Sequence, residues 1–102
     1  MQKMKSQSPE SPNEEVIEKK LVIKNKLGLH ARPAALFVQT VGKYNCELTV
    51  RKGKQKVNGK SIMGLMMLAA GVGSTITLEA VGPDAGKAIL EVEKLVGSNF
   101  GE

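Results

Sequence analysis

Two periodicities alternate along residues 19–102 of the chain. In KLVIKNK, Leu21 and Ile23 fall on one face and Lys20, Val22 and Lys24 on the other, which predicts a strand. Ala31, Ala34, Ala35, Val38 and Val41 then recur at helical spacing, with Gly42 as a left-handed stop. CELTVRK alternates again and turns through Lys52, Gly53 and Lys54 into the short strand QKVNG, whose end at Asn58 and Gly59 resembles a hairpin turn. KSIMGLMMLAA is too continuously apolar for a solvated strand and lacks β-branched residues after Ile62, so it predicts a short helix capped by Ser61. STITLEAVG places Ile76, Leu78 and Ala80 opposite Thr75, Thr77 and Glu79. Pro83 suits a first helical position and Asp84 a first turn. Ala85, Ala88, Ile89, Val92, Leu95 and Val96 follow as one stripe that stops at Gly97.

The order is βαββαβα. Strands with one apolar face and helices with one apolar stripe are jointly satisfied by a two-layer α+β sandwich: one open, mostly antiparallel sheet with all helices on the same side. Residues 1–18 are rich in Ser, Pro, Glu, Gln and Lys, with Val16 and Ile17 as their only adjacent apolar pair. Such a segment buries too little to order itself, so the expected division is a flexible tail over 1–18 and one domain over 19–102.

Composition narrows the chemistry. At 102 residues there is room for one modest core, and 15 Lys and Arg against 10 Asp and Glu favour acidic or phosphate-bearing partners. One cysteine forms no internal disulfide, and one cysteine with one histidine cannot supply a four-ligand zinc site, so no metal or cofactor is expected, and cytoplasm is the natural compartment. No stretch is apolar for long enough to cross a bilayer. RNA binding would account for the basic charge. Aromatic residues make up only 3% of the chain, however, and no G-x-x-G loop occurs, so the expectation is no nucleic-acid partner.

The sole histidine, His30, stands immediately before the first helical run, with Arg32 two residues on and Pro33 next to it. The positive end of a helix and a nearby guanidinium suit a neutral imidazole that acquires an anion better than a protonated one. A phosphoryl group on that ring would meet unpaired backbone N–H groups at the helix start and a charge-assisted bond from Arg32. Pro33 withholds no needed N–H there, and Gly28 allows the chain a close approach. Phosphoryl transfer through a loose transition state needs positioned donors and charge rather than a triad.

NKLGLHARPAALFVQ closely resembles the active-site signature of the HPr family, the histidine-phosphorylatable carriers of the bacterial phosphotransferase system, with G-L-H-A-R-P-A complete at residues 28–34. The resemblance runs from about residue 19 to the C-terminus and includes GKSIMGLMMLAA, which is similar to the family's serine-containing segment. It implies a four-stranded antiparallel sheet with three helices and a monomer that is a stoichiometric carrier rather than an enzyme. It further implies His30 as phosphoryl acceptor, Arg32 as phosphate stabiliser, and Gly28, Ala31 and Pro33 as support for the phosphate loop. The implied partners are Enzyme I, charged by phosphoenolpyruvate, and acceptor A domains of a sugar or nitrogen-related branch.

Ser61 has two readings: a plain helix cap, or a regulatory site, because the matching serine in many bacteria is the substrate of HPr kinase/phosphorylase. A regulatory protein working through Ser61 without histidine transfer is the alternative function, and the intact His30 and Arg32 speak against it. Ile62, Met63 and Met66 are among more apolar side chains than one side of a short helix can bury, which predicts an exposed docking patch, with Lys60 meeting an acidic partner beside it. Cys46 reads as a small apolar strand residue without an activated thiolate.

Overall fold

A computed structural model describes residues 16–102, and its elements are β1 (Val16–Val22), α1 (Ala31–Gly42), β2 (Glu47–Lys52), β3 (Gln55–Asn58), α2 (Ile62–Met67), β4 (Thr75–Val81), α3 (Ala85–Gly97) and a terminal 3₁₀ turn, Asn99–Gly101. The strands form one antiparallel sheet in the order β1-β4-β2-β3. Alternation does what the sequence predicts: Leu48, Val50, Ile76 and Leu78 point to one side and are buried with Phe37 of α1, Leu65 of α2 and Val92 of α3. On the opposite, open face the Arg51 guanidinium pairs with Glu79 of β4 and Glu18 of β1.

β1 begins at Val16, so the boundary expected after residue 18 is too late; residues 1–15 lie outside the described residues. Val16, Ile17 and Glu18 pair with Val81, Ala80 and Glu79. Side-chain hydrophobicity alone missed this pairing because main-chain hydrogen bonds to a long neighbouring strand carry it, with the Glu18–Arg51 contact added.

The helices depart from the sequence reading in three places. α1 buries Pro33, Ala34, Phe37 and Val41, while Ala31 is exposed and Ala35 and Val38 are half-buried. Phe37 turns the helix: full burial of so large a side chain is worth about 1.5–3 kcal/mol, more than an alanine stripe can offer. Gly42 is not a left-handed stop, for the chain continues right-handed through Lys43 at φ −84°. α3 starts at Ala85, two residues after Pro83, with Asp84 at its N-cap.

The β2–β3 hairpin closes at Gly53–Lys54, between the paired Lys52 and Gln55. Asn58 and Gly59 instead lead into α2: Gly59 donates its N–H to Leu48 O at 2.7 Å, and Asn58 Oδ1 accepts from the Lys60 N–H at 2.8 Å. A Cβ at position 59 would stand 2.8 Å from Leu48 Cγ, so any larger residue there would displace the buried Leu48 side chain.

Candidate functional site

The loop from β1 to α1 is shaped by Asn25 and Gly28. Asn25 is 2% exposed; its carbonyl accepts the Gly28 N–H at 3.1 Å and its Nδ2 donates back to Gly28 O at 2.8 Å. Gly28 lies at φ +70°, and a Cβ there would stand 2.4 Å from Ala70 O, so neither the conformation nor the space admits a side chain. Leu29, buried, donates its N–H to the same Ala70 carbonyl at 2.9 Å, which ties the loop to the segment after α2.

His30 follows as the N-cap of α1 in extended conformation. Its carbonyl takes the Ala34 N–H at 3.0 Å, its own N–H donates to Gly28 O at 3.0 Å, and its side chain makes no capping bond. The N–H groups of Ala31 and Arg32 precede the first bonded turn, and Pro33 has none. Two donors are therefore presented at the helix start beside an imidazole free of capping duty. Arg32 is exposed and, among the described residues, holds no ion pair.

The sequence reading missed Glu102. Its Oε2 lies 3.2 Å from His30 Nε2, and its Oε1 lies 3.4 Å from Asn25 Nδ2. The C-terminus reaches the ring because Phe100 is buried, at 3% exposure, while Gly101 and Glu102 donate backbone N–H groups to Ser98 and Asn99 carbonyls. Asn99 and Phe100 adopt φ values of +55° and +56°, a left-handed turn that side chains beyond glycine occupy at a cost of order 1–3 kcal/mol each. The signal available in the sequence was Phe100 itself, a lone large apolar side chain in an otherwise small and polar terminus. The ring thus has a carboxylate for a neighbour, besides the positive helix end.

α2 carries the second group of expected residues. Ser61 is its N-cap, as predicted, and Ser61 Oγ accepts the Gly64 N–H at 3.0 Å. Leu65 and Leu68 are buried, while Ile62, Met63, Met66 and Met67 are 42%, 74%, 43% and 67% exposed. Lys60 is half-buried, and its ammonium donates to Tyr44 O at 2.9 Å, so part of its charge is already engaged at the end of α1. The other end of α2 is held by the hairpin: Lys52 Nζ donates to Leu68 O and Ala69 O, and Gln55 Nε2 to Met67 O. Because the His30 loop is tied to Ala70, it abuts the C-terminal side of α2, and Ser61 stands at the other end of that helix.

Burial raises the Cys46 thiol above its ordinary value, Lys60 pulls it down, and Asp84 adds to the rise. Among the described residues no group of three His, Cys, Asp or Glu side chains is arranged to hold a metal, and no helix is long and apolar enough to cross a membrane.

Comparison with known proteins supplies the frame for this geometry. The family model for the PTS HPr component phosphorylation site matches residues 17–98. The chain is 44% identical over 87 residues to the phosphocarrier protein HPr of Cupriavidus necator, covering 85% of this chain and 98% of that protein. It is 40% identical over 86 residues to the phosphocarrier protein NPr of Shewanella violacea, covering 84% and 94%. The crystal structure of HPr-C-His from Thermoanaerobacter tengcongensis superposes with a TM-score of 0.81 at 50% identity, over 84% of this chain and 97% of that one.

Proposed function

The chain belongs to the PTS HPr family of phosphocarrier proteins, and on that premise we propose that it carries its phosphoryl group on His30, receives it in the cytoplasm from Enzyme I charged by phosphoenolpyruvate, and passes it to acceptor A domains. The observation that carries this reading is the ring's position: an N-cap imidazole that makes no capping bond, with Nε2 facing the Glu102 carboxylate. A carboxylate accepts the Nε2 proton, which leaves the Nδ1 lone pair as the nucleophile. Nδ1 is also the ring nitrogen nearer the backbone.

In the forward step the Nδ1 lone pair forms a bond to phosphorus while the donor's bond to phosphorus breaks, its electron pair leaving with the donor. The ring keeps its proton on Nε2. Charge on the three equatorial oxygens is met by the Ala31 and Arg32 amides and by the guanidinium of Arg32, which is free to swing toward them. Pro33 stiffens the first turn, and Gly28 lets the loop lie against Ala70 so that His30 is held at the helix start. Delivery reverses the same bonds on an acceptor, so the protein needs no complete catalytic apparatus of its own.

The exposed Ile62, Met63 and Met66 of α2 suit docking of several partners, because methionine adapts to differing surfaces, and Lys60 adds positive charge at their edge. Ser61 is proposed as the regulatory position for HPr kinase/phosphorylase. Its hydroxyl presently serves as a cap, and a phosphate there would bring about −1.5 to −2 charge beside the docking side chains.

The test is incubation with Enzyme I and phosphoenolpyruvate, mapping of the phosphate, and transfer to candidate A domains. Acid-labile, base-stable label on His30 that disappears in His30→Ala is expected. Label that survives in His30→Ala overturns the assignment, and no label on His30, with Ser61 labelled in a parallel incubation with HPr kinase/phosphorylase and ATP, would favour the regulatory alternative.

A further inference from the structure

We propose that Asn25 is a positioning residue for the phosphoryl-accepting ring: its buried carboxamide holds the Glu102 carboxylate against His30 Nε2 and so selects which ring nitrogen bears the proton. The functional consequence rests on the reading of His30 as the carrier residue, whereas the structural claim does not.

Asn25 sits where a loop residue has little reason to be buried, yet it is 2% exposed. Its Nδ2 has two hydrogens and two acceptors: Gly28 O at 2.8 Å and Glu102 Oε1 at 3.4 Å. The shorter bond fixes the orientation of the carboxamide, since the oxygen could not face the Gly28 carbonyl. The longer one turns the remaining N–H toward the carboxylate whose other oxygen faces the ring at 3.2 Å. Gly28 O is also the acceptor of the His30 N–H, so one side chain braces both the backbone and the ring partner of His30.

The arrangement is not what stability alone would choose. Asn25 Oδ1 is buried without a partner, a penalty that an apolar side chain of similar volume would avoid. Aspartate at this position would face Glu102 with like charge, serine would not span the distance, and leucine would offer no donor. A side chain with two donors on one short stem meets the requirement.

The chemistry follows from the proton's place. With Glu102 accepting from Nε2, the neutral ring exposes Nδ1, and formation of the Nδ1–P bond leaves a ring cation whose proton stays on Nε2 opposite the carboxylate. When the phosphoryl group departs, the N–P electron pair returns to Nδ1. No proton enters or leaves in either direction, so the ring is ready for the next transfer without exchange with water.

Because His30 is the only histidine, its ring ¹⁵N resonances are unambiguous in the full chain. They are to be recorded for the neutral ring in wild type, Asn25→Ala, Asn25→Leu, Glu102→Ala and the Asn25→Ala/Glu102→Ala pair, alongside Enzyme I-dependent labelling rates. Asn25→Leu preserves volume if Asn25→Ala fails to fold. The expected result is a predominantly Nε2-protonated ring in wild type, a shift toward a mixture in each single variant, and no further shift in the pair. Labelling should fall about two- to tenfold in kcat, the equivalent of one hydrogen bond, with the KM for this protein as substrate unchanged. An unchanged tautomer ratio in both Asn25 variants overturns the proposal, even if their labelling is slow. A tautomer shift in a chain that Enzyme I never labels on His30 would uphold the positioning role and sink the carrier reading instead.

Discussion

Asn45 and Asp84 bind each other in both directions: the Asn45 N–H donates to the Asp84 carboxylate at 2.9 Å, and the Asp84 N–H donates to Asn45 O at 3.1 Å. The carboxylate that should cap α3 is turned instead onto the α1–β2 loop. Asp84→Ala should therefore lower stability by about 1 kcal/mol, one hydrogen bond at an exposed site, and Asp84→Asn should recover most of it because the amide oxygen still accepts. Urea midpoints decide, and an Asn variant as weak as Ala would mean the charge, not the bond, matters.

The early start of β1 has a measurable weight. A chain of residues 19–102 should be about 1–2 kcal/mol less stable than one of residues 16–102, through loss of main-chain pairing to β4 and of the Glu18–Arg51 contact. Equal unfolding midpoints would show that the first three residues of β1 add nothing.

Ala69 follows α2 at φ +52°, where an L side chain is strained, and it is exposed. Ala69→Gly should stabilise the protein by about 0.5–1 kcal/mol, the left-handed penalty less the added freedom of the unfolded chain. A lower melting temperature would locate a favourable contact of the methyl group that offsets the strain.

Ser61→Asp should leave the fold intact, because a carboxylate can accept the Gly64 N–H as the hydroxyl does and is welcome at a helix start. Enzyme I-dependent labelling of His30 should slow about two- to fivefold at low ionic strength, the equivalent of roughly 0.5–1 kcal/mol for a partly exposed charge contact, and recover as salt is added. Equal rates at low salt would return Ser61 to the single role of cap.

The Cys46 thiol, raised chiefly by burial, should hold less thiolate at a given alkaline pH than a free cysteine and alkylate more slowly. Removing the positive neighbour in Lys60→Gln should slow it further, whereas Asp84→Asn should speed it. The opposite order of rates would contradict the assigned causes.

The parts of this molecule legible in its sequence are those governed by near neighbours. Ile76, Leu78 and Ala80 announce a strand, Ser61 announces a cap, and His30 with Pro33 announces a helix start, because spacing of a few residues determines each. Phe37 does not stand out in the sequence, since small side chains fill the helical pattern without it, though its size decides how α1 faces the core. Glu102 and Asn25 were hidden for another reason. Their encounter at His30 depends on Phe100 being buried at a left-handed φ that its own local propensity disfavours.

The sheet order has a consequence for how the chain assembles. Among the described residues β1 precedes the other strands, yet its only partner is β4, and Val16 pairs with Val81, far away in the sequence. As the chain leaves the ribosome, the β2–β3 hairpin closes within a few residues, while the N-terminal strand waits, unpaired along both edges, until β4 has emerged between it and β2. The His30 loop continues directly from that waiting strand, so the proposed carrier site is among the last parts of the protein to take its final form, although nearly all of its residues are synthesised early.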